Sequence, residues 1–212
     1  MTEEVQIETS IEEPSEGEKK KWTSYFMIGG SIALVAILGF IVFGLKSNPT
    51  GASTVEYNYF EFEEIGGLWQ TNIQLKDQLY QATFRFNPEQ VEDIYVEGNF
   101  SLVKSPIYVT FDPDADSEKF KYLALASSEL SLNLIRGLNL TLEGACTKNV
   151  TDACIDRQIV TCADTDKSVI YLVSNPPTQI TLQENCIVIS GEGFDLLKSV
   201  DRLLFKWYNI MK

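Results

Sequence analysis

The stretch VEYNYFEFEEIGGLWQTNIQLKDQLYQATFRF, residues 55–86, alternates polar and apolar side chains and is broken by Gly66-Gly67 and Lys76-Asp77. Alternation of period two is the mark of half-buried strands, and paired turn residues between such runs mark hairpins. It reads as three strands, 55–63, 68–75 and 78–86, in an antiparallel meander. In the first, Tyr57 and Tyr59 would lie on one face and Phe60 and Phe62 on the other, as aromatics that fill a sheet rather than a platform for stacking a ligand. Residues 91–98 and 106–112 add two shorter strands.

A helix follows over 117–136, with Phe120, Leu123, Leu130 and Leu134 on one face and Gly137 suited to the left-handed position past its end. Short apolar runs at 138–144, 157–162, 168–174, 178–183 and 186–191 read as further strands. A last helix, 194–211, carries Leu196, Leu197, Val200, Leu203, Leu204, Trp207 and Met211 as a stripe, with Lys198, Asp201, Arg202 and Lys206 opposite. Two units share the order strand, loop, helix, at 106–136 and 186–211. The expected fold class is α+β, a mainly antiparallel sheet with two helices packed on one face.

Upstream, residues 1–21 form an acidic tail that is too poor in apolar side chains to order itself and ends in Lys19, Lys20 and Lys21. Within 22–46, residues 25–45 are 21 residues without a charge, enough to cross a bilayer as a helix and too long for a signal-peptide core. Three lysines before this run against Lys46 after it place the N-terminus in the cytoplasm. Residues 47–54 read as a linker and 55–212 as one extracytoplasmic domain. The lipid bilayer is thus an expected partner. A formal charge of −13 excludes nucleic acid as another.

All four cysteines, Cys146, Cys154, Cys162 and Cys186, fall in the outer domain. Their spacings lack the two- to four-residue knuckles of a zinc or iron–sulfur site and the Cys-x-x-Cys of a redox centre. An even count in an oxidising compartment reads as structural disulfides. Of three connectivities, Cys146–Cys154 with Cys162–Cys186 is preferred. Asn99, Asn139 and Asn149 each open an N-x-[ST] triplet and are candidate glycosylation sites on the same side of the membrane.

Chemistry has few carriers here. The chain has no histidine, which removes His-based triads, bases and metal sites together. Asp112, Asp114 and Asp116 have the alternate spacing of a calcium loop, but Ser117 and Leu123 stand where an EF-hand needs Gly and Glu, and acidic residues ahead of a helix also serve as caps. GEGF, 191–194, opens a helix after a strand but lacks the rest of a phosphate-loop fingerprint and reads as a tight turn. Asp201-Arg202 reads as surface charge, not as a catalytic acid and its orienter, because neighbours on a helix do not face each other.

PIYVTFDPDADSEKF (106–120), the run 146–162, SVIYL (168–172) and CIVISG (186–191) followed by DLLKSVDRLLFKW (195–207) together resemble uncharacterised single-pass membrane proteins of small-genome archaea with a cysteine-containing extracytoplasmic domain. The resemblance covers 106–212. It implies an archaeal cell-surface setting and brings no catalytic residues. The expectation is a membrane-anchored, non-enzymatic envelope protein that binds or scaffolds other envelope proteins outside the cell, with no cofactor. The alternatives are a tethered hydrolase or transferase that depends on Asp112, Asp114 or Asp116 or on a divalent cation, and an accessory subunit of a secretion, pilus or transport assembly.

Overall fold

A computed structural model describes residues 29–31, 33–39, 53–75, 77–99 and 104–212. The chain divides into two units, Met1–Gly51 and Ala52–Lys212. In the first, the described residues are helical and expose Leu34, Val35, Ile37 and Leu38. The tail 1–21 and most of the expected membrane segment 22–46 and linker 47–54 lie outside the described residues, among which no helix is long and apolar enough to cross a membrane.

The second unit is α+β, with two sheets. The first is an antiparallel meander of β1 (Thr54–Tyr57), β2 (Phe60–Ile65), β3 (Leu68–Leu75) and β4 (Gln78–Phe84). The expected strand 55–63 is in fact a hairpin. Tyr57 pairs with Phe60, and Asn58 and Tyr59 between them take φ of 46° and 73°, the two-residue turn that suits the twist of antiparallel strands. Tyr59 therefore leaves the sheet for solvent while Phe62 is fully buried. Gly66 and Gly67, with φ of 61° and 78°, make the next turn as read from the sequence.

The second sheet holds β5 (Tyr95–Gly98), β6 (Ile107–Phe111), β7 (Leu142–Cys146), β8 (Gln158–Ile159), β9 (Ser168–Val173), β10 (Gln179–Leu182) and β11 (Cys186–Ser190), in the order β5-β10-β11-β9-β6-β7-β8. Only β10 and β11 run antiparallel, so the expectation of a mainly antiparallel sheet does not extend to this one. The reason lies in burial: β6, β9 and β11 are nearly continuous apolar runs because both faces of the sheet are covered. Helix α1 (Ser117–Leu132) is the crossover that joins parallel β6 and β7. It ends in a π turn, Asn133–Gly137. The left-handed position beyond it belongs to Asn139, φ 54°, not to Gly137. Gly137 serves close approach instead, since a Cβ there would lie 2.1 Å from the Tyr208 hydroxyl.

Helix α2 (Phe194–Trp207) lies between the sheets. Leu196, Leu197 and Val200 share a core with Ile187 and Ile189 of the larger sheet, while the Phe205 ring sits 4.5 Å from Phe84 and 5.7 Å from Phe62 of the meander. Asp201 and Arg202 are consequently buried, 1% and 8% exposed, which corrects their reading as surface charge: the meander covers the face that the sequence assigned to water. The Asp201 carboxylate accepts the backbone N–H groups of Arg85 and Phe86, both at 2.9 Å. The Arg85 guanidinium also pairs with Glu129.

The opposite face of the larger sheet is covered by chain between β7 and β9. Tyr108, Ala145, Val160, Val169 and Cys186 pack there with Cys162, Tyr171 and Val188. Two disulfides, Cys146–Cys154 and Cys162–Cys186, pin this covering, in the connectivity preferred from the sequence.

Truncating Phe205 to Ala should cost about 3–5 kcal/mol of unfolding free energy, the usual loss for a buried ring, and a loss below about 1 kcal/mol in chemical denaturation would contradict its place between the sheets. Burial pushes the Asp201 carboxyl well above its ordinary value, against the two N–H groups that favour the ion. Between the ordinary and the raised value the folded state holds more protons than the unfolded one, so stability falls as pH rises through that window. Asp201→Asn should flatten that fall when the denaturation midpoint is followed against pH.

Candidate functional site

Strands β6 and β9 lie side by side and parallel, with Phe111 opposite Leu172 at their C-terminal ends. From β6 the chain leaves through α1 to β7 on one side, and from β9 it leaves to β10 and β11 on the other. Where connections diverge in this way nothing fills the space past the strand ends, and open sheets place their ligands there. In this protein that crevice measures about 250 Å³ and is lined in part by Asp112, Asp114, Asp116, Lys119, Ser174 and Asn175.

The three aspartates that the sequence singled out are thus brought to one place, and each is already engaged. Asp112 Oδ1 accepts the Asp114 N–H at 3.0 Å. The Lys148 ammonium lies 3.1 Å from Asp112 Oδ1 and 2.5 Å from Asp114 Oδ2. The Asp114 N–H, and after it Lys148, hold Asp112 below the usual carboxylate range in spite of partial burial. Asp116 Oδ1 accepts the Lys119 N–H at 2.9 Å and caps α1. Among the described residues no group of three or more His, Cys, Asp or Glu is arranged to hold a metal ion.

The other partners escaped sequence reading. Lys119 Nζ donates to Asn175 Oδ1 at 2.8 Å. Ser174 is 6% exposed, and its hydroxyl has no hydrogen-bond partner among the described residues. In the sequence, Ser174 closes the run 168–174 that reads as a strand, and Asn175 stands between it and Pro176-Pro177. Their signal was position, polar residues directly beyond an apolar strand. Lys148 lies inside the loop closed by Cys146–Cys154, and nothing in its neighbours points to Asp112.

The remaining candidates lie elsewhere. Gly191 and Gly193 form a turn, and a Cβ on Gly191 would lie 2.5 Å from the backbone of Asp195 and Leu196, so that glycine serves the entry to α2. Asn99, Asn139 and Asn149 are all exposed, and Ser101 of the first triplet lies outside the described residues. Chemically the crevice offers oriented carboxylates beside two ammonium groups. A general acid needs a proton at working pH, and the shift at Asp112 runs the other way.

Replacing Lys148 with Met should raise the titration midpoint of Asp112 without bringing it fully to the ordinary value, because the Asp114 N–H remains. Carboxyl ¹³C chemical shifts followed against pH would read this, and an unchanged midpoint would remove Lys148 from the site. No protein-family model, no curated protein and no solved structure matches the chain.

Proposed function

We propose that this chain is a membrane-anchored cell-envelope protein, its 22–46 segment spanning the bilayer and its disulfide-bonded domain binding partners outside the cell. The observation that carries the reading is the pair of disulfides, Cys146–Cys154 and Cys162–Cys186, which persist in oxidising compartments. They follow a 21-residue uncharged run with Lys19, Lys20 and Lys21 on its N-terminal side, the arrangement that sends the following domain outward. Binding is supported by the crevice beyond β6 and β9, where Lys148 and the α1 cap fix the carboxylates before any ligand arrives. Pre-fixed polar groups cost less to order on association.

A second reading, a tethered hydrolase or transferase, draws on the convergence of Asp112, Asp114 and Asp116 in one crevice. The downward shift of Asp112 favours binding over acid catalysis.

The orientation is tested on intact cells with a membrane-impermeant amine reagent and peptide mapping. Exposed Lys104 and Lys121 should be labelled and Lys19, Lys20 and Lys21 spared until lysis. The opposite pattern would overturn the reading.

A further inference from the structure

We draw no further inference here: the strongest candidate, the solvent-facing side of the meander, where exposed Tyr59 stands at the tip of the β1–β2 hairpin beside Glu56, Glu61 and Glu63, carries no docking proposal because nothing in the structure shows what covers it.

Discussion

The fold of the second unit depends on α2 being enclosed on both sides. Polar groups on the enclosed faces of the helix cannot reach water; Arg202 Nε and Nη1 have no partner among the described residues, and the others are met inside by partners that tie the layers together. Ser199 donates to the Ser190 carbonyl at 2.8 Å and pins the helix to β11 of the larger sheet. Asp201 accepts from Arg85 and Phe86 just past the end of β4 and pins it to the meander. Beyond the helix, Tyr208 donates to the Asn133 carbonyl at 3.0 Å, and Asn133 donates to the Thr83 carbonyl at 3.2 Å, linking α1 and β4 to the same point. Apolar burial supplies the driving force, and these polar contacts set which layer lies where.

Enclosing α2 uses one face of the larger sheet, and a mostly parallel sheet cannot leave its other face to water. Here irregular chain covers that face. Such chain offers no continuous apolar stripe, so it needs other fastening. Cys162–Cys186 ties it to the first residue of β11, Cys146–Cys154 closes it onto the last residue of β7, and the Thr110 hydroxyl of β6 donates to the Val160 carbonyl at 2.9 Å. The disulfides and the parallel topology are thus parts of one solution. The same topology makes the connections diverge at β6 and β9, and so leaves the crevice open.

What the sequence revealed follows from which contacts are local. β3 was read at 68–75, its observed bounds, because alternation and two flanking turns define it without reference to anything distant. The hairpin at Asn58-Tyr59 was missed because an aromatic at the second turn position continues the apolar alternation. The apolar stripe of α2 was found, but periodicity reports only that one face is buried and is silent on what covers the other. Hence Asp201 and Arg202 were sent to the surface. β6, β9 and β11 were identified as strands, yet their direction is set by the crossover through α1 and by pairing across long separations. The aspartates of the crevice were visible as a motif, whereas Lys148, Ser174 and Asn175 come from other loops and only the fold brings them there.

The crevice is also coupled to the staple. Lys148 lies two residues past Cys146, within the eight-residue separation that the Cys146–Cys154 bond closes. A closed loop has fewer conformations than an open one, so the bond restricts where the ammonium can go. Lys148 bridges Asp112 and Asp114, beside the Asp114 N–H that Asp112 accepts, and offsets the repulsion of two neighbouring carboxylates. The oxidation that fastens the back of the sheet therefore also confines the cation that orients the acceptors at its edge. In a chain without histidine, where no side chain ordinarily changes charge near neutral pH, that arrangement keeps a constant charge pattern at the sheet edge.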